Sequence, residues 1–313
     1  MCVTYYEIGR MIVEQEQNGD TRAEYGKNLL ETLSDHLTKI YGKGWSVGNL
    51  KNARQFYKTY TNRIGESVTN EFTVAELLQF SFTLSFTHDV VLMRIENIDE
   101  RNIYEIEAKE NNWSIRELKR QQISVYYERI ALSKNREEVK HLSKEGQTFE
   151  KAKDLVKSPF VLEFLGLEED YKYSESDLEN AIITNLQSFL LELRRGFLFE
   201  ARQKRFSFDD KSFYIDLVFY NRLLQCYVII DLKVGELTHQ DLGQMQMYVN
   251  YFDRHYRKDF EKPIVVVLLY RKRSDIIVEL TLSEDANIYV AEYSLYLPDK
   301  SLLQKNIRMD RDL

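Results

Sequence analysis

Between residues 212 and 233 the chain reads SFYIDLVFYNRLLQCYVIIDLK, two runs of β-branched and aromatic residues parted by the short link Asn221-Arg222-Leu223. Runs of this composition form strands, Ser212 to Tyr220 and Leu224 to Lys233, and so short a link makes them a hairpin. Side chains alternate between the faces of a strand. Asp216 is therefore expected on one face with Tyr214 and Val218, while Ile215, Leu217 and Phe219 occupy the other. In the second strand Asp231 and Lys233 stand two apart, project to the same side, and close an apolar run. Regular pairing lets Asp216 lie beside them. Burying two carboxylates and an ammonium in a sheet is unfavourable unless they pair, hydrogen-bond or hold an ion. Two carboxylates on one face attract a hard divalent cation such as Mg²⁺. A lysine beside it could orient an attacking water or offset charge growing on phosphorus. A purely structural Asp–Lys ion pair satisfies the same pattern, and these two strands leave both readings open.

The rest of the chain divides around proline. All three prolines, Pro159, Pro263 and Pro298, lie beyond residue 158, so nothing in the first half forbids long helices. Helical spacing of Leu50, Ala53, Phe56, Tyr57 and Tyr60 follows Trp45-Ser46, and Ser114-x-x-Glu117 is a capping box behind Trp113. The shared pattern Trp-Ser-(Val/Ile)-x-x-Leu-Lys suggests a duplicated helix–turn–helix-like unit. On one reading its helices enter a DNA groove, with Lys51, Arg54, Arg116, Lys119 and Arg120 on phosphates. On the other it is a helical bundle in which the tryptophans staple the core. Lys134 to Lys157 is rich in Lys and Glu and leads into an interdomain connection. We place the boundary at 155, with a helical domain over 1–155 and a second domain over 156–313.

That second domain is expected to open with an amphipathic helix over Leu178–Leu193, ended by Gly196. Strand Phe197–Phe206 and the hairpin follow, then a helix over Gln240–Phe252 capped by Thr238-x-x-Asp241. Strands at IVVVLLY and Ile288–Tyr293 complete a mixed sheet with helices against it, an α/β domain in a chain that is α+β overall.

Composition narrows the function classes. A chain of 313 residues with 43% hydrophobic content fills two cores, which excludes a disordered protein. Fifty acidic against 43 basic side chains leave a net charge of −7, unlike a bulk nucleic-acid coat, although local patches can still bind phosphate. The longest apolar runs, such as Ile264–Tyr270, fall far short of the roughly 20 residues that cross a bilayer. Glu7 and Arg10 interrupt what would be the apolar core of a secretory signal, so no membrane association and a cytoplasmic location are expected. Cys2 and Cys226 can build neither a disulfide framework nor a cysteine metal cluster, and His88 and His239 stand apart from other ligand types, so no zinc site is expected.

Ile215-Asp216 and Asp231-Leu232-Lys233 resemble the two motifs of the PD-(D/E)XK nuclease superfamily. More closely, the blocks YEIGRMIVEQEQNG, AEYGKNLLETLS, GKGWSVGNLKNARQFY, LSFTHDVVLMRI, IYEIEAKENNWSIRELKRQ and FYIDLVFYNRLLQCYVIIDLKVGELTHQDLGQMQMYVNYFD resemble the bacterial YhcG-like proteins. In these a helical domain precedes such a nuclease domain. The resemblance covers nearly the whole chain, and the last block is its specific part. It implies a restriction-endonuclease-like mixed sheet and Mg²⁺- or Mn²⁺-dependent hydrolysis of DNA in restriction, phage defence or repair. Asp216, Asp231 and the Leu232 carbonyl would be metal ligands, and Lys233 would position the nucleophilic water. The superfamily usually adds an acid from the first helix. Glu179 is the choice, because it shares a helical face with Ile183, Leu186 and Leu190, whereas Glu192 lies off that stripe and reads as a solvated charge. Gln244 and Tyr248, four apart, resemble the superfamily's Gln-x-x-x-Tyr element and would brace the site or touch the substrate strand; plain helix packing is the alternative for Tyr248.

The superfamily often has Pro where this chain has Ile215. The chain also starts later than the family's pattern, which implies that an initial helix is absent. Arg194, Arg195, Arg202, Lys204 and Arg205 make a local positive stretch suited to a phosphate track, which Arg271-Lys272-Arg273 could extend. Glu236 and Asp241 would hold a second ion or cap a helix, and the cap is preferred. A homodimer and partners from restriction or defence systems are further expectations from the resemblance. Two other classes remain in view: a nuclease-like binding or assembly subunit that no longer cuts, and a structural dimer built by the aromatic helices.

Overall fold

The structure is a computed structural model that describes residues 2–18, 23–65, 82–131, 136–146, 151–156, 159–167, 173–193, 195–208, 210–235, 237–271, 278, 281–282, 286–297 and 299–300. Arg194, Glu236, Lys272 and Arg273 lie outside this set. The chain divides into two compact units, Met1–Lys119 and Arg120–Leu313.

The first unit is helical: α1 Cys2–Asn18, α2 Ala23–Tyr41, α3 Val47–Gly65, α4 Phe86–Leu92 and α5 Ile98–Glu110, with α6 Ile115–Ile123 beginning at its end. Gly9 lets α1 and α3 approach closely, since a Cβ there would collide with the Ala53 carbonyl oxygen. Tyr6, Phe56, Tyr60 and Met93 form one buried cluster, and Ile12, Leu30 and Leu50 form another. Both Trp-Ser signals start helices. Ser46 Oγ accepts from the Asn49 N–H at 3.3 Å, and Ser114 Oγ from the Glu117 N–H at 3.2 Å. Trp113 is buried, Trp45 rests on Tyr5 and Tyr41, and Arg54 pairs with Glu16 of α1 at 2.7 Å. These are contacts of a packed bundle. His88 belongs to it too, its ring bonded to Ser85 Oγ and the Trp113 carbonyl.

The second unit adds α7 Tyr126–Ala131, α8 Arg136–Glu145, α9 Glu175–Thr184, α10 Leu186–Leu193 and α11 His239–His255 to six strands. These are β1 Phe160–Val161, β2 Phe197–Phe208, β3 Lys211–Asn221, β4 Cys226–Lys233, β5 Val265–Tyr270 and β6 Ile288–Ser294, in the order β1-β6-β5-β4-β3-β2. Pairing is parallel from β1 through β4 and antiparallel from β4 through β2. On one face Leu178, Ile182, Phe189 and Leu193 of α9 and α10 cover Leu217, Phe219, Val228, Ile230 and Leu232. On the other, Leu242, Met245, Tyr248 and Phe252 of α11 cover Ile215, Val218, Ile229, Val266 and Leu268. Thr238 and Asp241 cap α11 reciprocally, as the sequence pattern anticipates.

Three expectations are corrected. The helix expected over 178–193 is two helices, broken where Asn185 turns its side-chain amide onto the Ala181 carbonyl. The compact units divide at Lys119/Arg120, and Arg120 and Arg129 are anchored within the second, on Glu163 and Glu192. That anchorage also removes Arg120 from the expected DNA-facing set. Glu192 is not a solvated charge. It is fully buried, with Arg129 at 2.7 Å, Arg120 at 3.5 Å and the Val161 N–H at 3.2 Å.

Candidate active site

The hairpin positions the site by coming apart. The β3–β4 ladder runs from Asn221/Cys226 to Leu217/Ile230 and stops. In place of the next backbone bond, Asp216 Oδ2 accepts from the Leu232 N–H at 2.9 Å. Face alternation slips at the same point. Ile215 and Val218 pack toward α11 whereas Leu217 packs toward α9 and α10, so the regular alternation expected through Asp216 does not hold. A side chain that substitutes for a ladder bond frees β3 to continue with β2 alone, from Lys204/Ile215 to Phe208/Lys211.

Asp231 stands at the opening, almost fully buried, with Lys233 Nζ 2.7 Å from its Oδ2. Nζ also lies 3.5 Å from the Leu232 carbonyl oxygen and 3.6 Å from Glu175 Oε2. Burial, and after it the charge of Asp216, push the Asp231 carboxyl up to about 7. Asp216 is raised too, chiefly by burial, against the opposing pull of the Leu232 N–H and the Lys233 charge. Burial alone would lower the lysine, but Asp231, Glu175 and Asp216 outweigh it and hold the ammonium above its ordinary value. The three groups thus interact as one electrostatic unit.

Glu179 is buried on α9 as its helical position anticipates. Its carboxylate accepts from Arg202 Nε and from Gln203 Nε2, and the same Gln203 amide donates to Asp216 Oδ1 at 3.1 Å. Gln244 donates to the Tyr248 hydroxyl, which in turn donates to the Tyr214 carbonyl at 2.9 Å and so fixes β3 two residues from Asp216. Two members of the expected strand-binding set are turned to other partners. Tyr248 is fully buried with its hydroxyl committed to Tyr214, so it cannot touch a strand. Lys204 pairs with Glu200 at 2.6 Å and sets its ammonium 4.4 Å from the Tyr256 ring centroid, on the α11 side.

Arg202 faces Glu179 and Asn180, Arg195 gives its carbonyl to Asn221, and Arg205 leans on Ser212. Asp241 caps α11 and takes the Tyr270 hydroxyl at 2.7 Å; its carboxyl is lowered because these bonds outweigh burial, so the capping alternative describes it.

Comparison with known proteins bears on this geometry. Residues 153–308 match the model of the YhcG PDDEXK nuclease domain, and residues 1–129 match the DUF1016 N-terminal domain. Over 322 aligned residues the chain is 37% identical to "Putative nuclease YhcG" of Escherichia coli (strain K12), covering 97% of this chain and 85% of that one. The chain belongs to the YhcG family. A solved structure, the crystal structure of a repair endonuclease from Pyrococcus abyssi, is 20% identical over 42% of this chain and 50% of its own, with a TM-score of 0.29.

PDDEXK nucleases generally use divalent metal ions, and the residues at the opening fit one. Asp231 Oδ2 is buried with no hydrogen bond of good geometry, the lysine being near it but off-angle. The Asp216 carboxylate and the Leu232 carbonyl are beside it. Mg²⁺ commonly takes one or two carboxylates and completes its shell with water and substrate phosphate. Among the described residues no three His, Cys, Asp or Glu side chains gather as a ready cage, and Glu179 is linked to Asp216 through the Gln203 amide.

Sequence reasoning missed Gln203 and Glu175 in this YhcG-family site. Gln203 has a left-handed backbone, φ 46°, and nothing in the sequence marks it. Glu175 did carry a signal, standing one helical turn before Glu179.

Proposed function

We propose that the chain hydrolyses DNA phosphodiester bonds with Mg²⁺ or Mn²⁺ at Asp216, Asp231 and Lys233. The observation that supports this reading is the convergence of two raised carboxyls and a charged lysine where β3 leaves β4. Asp216, Asp231 and the Leu232 carbonyl would hold the ion, which when bound supplies Lewis-acid stabilisation of the phosphate charge. Lys233 Nζ would orient the attacking water and offset charge on the phosphate oxygens. Glu179 acts through Gln203 on the orientation of Asp216, and Gln244 acts through Tyr248 on the backbone of β3. Arg195, Arg202 and Arg205 would carry the strand toward the opening. The reaction belongs to the region after residue 155, in a cytoplasmic protein of restriction, phage defence or repair that works as a homodimer.

The test is cleavage of single- and double-stranded DNA and RNA with Mg²⁺, comparing Asp216→Ala, Asp231→Ala and Lys233→Ala. Each variant should lose at least about a hundredfold in rate while keeping its fold, in keeping with the loss of a transition-state donor. Folded variants that cut as well as the wild type refute the assignment.

A further inference from the structure

Past the point where β3 leaves β4, strands β2 and β3 continue as a two-stranded arm whose two faces differ. One face is packed except at its tip: Phe206 and Phe213 stack on each other at 5.5 Å, Phe206 stacks on Tyr251 of α11 at 4.2 Å, and Phe208 beside them stays partly exposed. The other face is polar and exposed. Tyr214 and Arg205 are register partners on it, as are Ser207 and Ser212, and Arg205 donates to Ser212 Oγ at 2.9 Å. Tyr214 is 49% exposed. A strand alternates every second residue, so Ser212 and Tyr214 share this face, and Asp216 follows two residues later along β3, where the alternation slips. Tyr214 is thus two residues from the carboxylate of the candidate site.

We propose that Tyr214 is a stacking platform for an unpaired nucleobase of the substrate strand, with Arg205 opposite it on the adjacent phosphate. The proposal rests on the nuclease reading and adds a substrate class to it, a strand whose base next to the cleaved bond is free to stack. Four observations favour this occupant. The aromatic ring is exposed on an otherwise polar face. Its backbone is already fixed by the Tyr248 hydroxyl, so binding need not order it. Among the described residues no carboxylate pairs with Arg205, and its partner Ser212 is neutral. Tyr214 also stands two residues from Asp216 along β3. Stacking on an aromatic residue is tolerant of base identity, because every base has a π-face, and duplex DNA keeps those faces covered.

The test uses the full-length chain in metal-free buffer, so that nothing is cut, with a labelled single-stranded DNA carrying 2-aminopurine and a matched duplex. Wild type should bind the single strand more tightly and quench the 2-aminopurine. Tyr214→Ala should weaken single-strand binding about tenfold and lose the quench, whereas Tyr214→Phe should stay within about twofold. Neither substitution removes the main-chain carbonyl that Tyr248 uses, so both should fold, as circular dichroism will report. Arg205→Ala should lower the salt dependence of binding by about one phosphate contact with the quench retained. Wild-type binding unchanged by Tyr214→Ala overturns the platform and leaves the nuclease reading standing. A wild type that neither binds nor, with Mg²⁺, cuts any nucleic acid overturns both.

Discussion

Asp231 carries the energetic cost of the site. Its carboxyl titrates near 7 in the folded chain, against an ordinary value of 3.8. Below pH 4 it is protonated whether the chain is folded or not. Between about 4 and 7 the unfolded chain releases that proton and the folded chain keeps it, so the unfolded state binds fewer protons and stability falls as pH rises through the window. Above 7 both are ionised and this contribution levels off. Asp231→Asn should therefore flatten the metal-free stability profile between pH 4 and 7 and raise stability at pH 8 by on the order of 1–3 kcal/mol. Denaturant melts in chelator at several pH values measure this, and a variant with the wild-type slope would show that Asp231 is not the group responsible. Glu192 is the contrasting case. A carboxylate off the apolar stripe of its helix looks solvated in sequence, and only the arrival of Arg129 from 63 residues away makes it a buried ion pair.

At the level of elements, the parts legible in advance are those set by local chemistry. The caps at Ser46, Ser114 and Thr238, the strands of the hairpin and the amphipathic helices follow from spacing and side-chain type alone. Gly196 belongs with them. It has φ +85°, and a Cβ there would meet Leu223 Cγ at 2.9 Å and Asn221 Oδ1 at 3.2 Å. Gly196→Ala should destabilise the chain by about 1–3 kcal/mol, seen as a lower urea midpoint with the slope unchanged. No shift in the midpoint would mean that the turn relaxes freely. The break at Asn185, the face reversal after Asp216 and the left-handed Gln203 were not legible. Each depends on where one strand stops pairing with another, or on a side chain replacing a backbone bond, and neither leaves a mark in residue periodicity. The carboxylates, the lysine and their placement side by side on neighbouring strands were legible, but the opening in the ladder across which they meet was not.

For the whole molecule, the compact unit that holds the sheet begins at Arg120, although the nuclease-domain family match begins at residue 153. Arg120 and Arg129 bring the cations that Glu192 requires, and a buried carboxylate deprived of its partners costs about 3–5 kcal/mol. A fragment starting at residue 120 should fold cooperatively, whereas one starting at 156 should melt at a much lower temperature, and the two compared by calorimetry decide this. Equal melting temperatures would place the boundary at 155 after all. The central claim, that two carboxylates meet at the opening between β3 and β4 to hold a divalent ion, is tested most directly by anomalous diffraction from a crystal soaked in Mn²⁺. A peak bounded by Asp216, Asp231 and the Leu232 carbonyl, and lost in Asp231→Ala, is the result expected; a chain that cleaves DNA with Mn²⁺ while the peak lies elsewhere would contradict it.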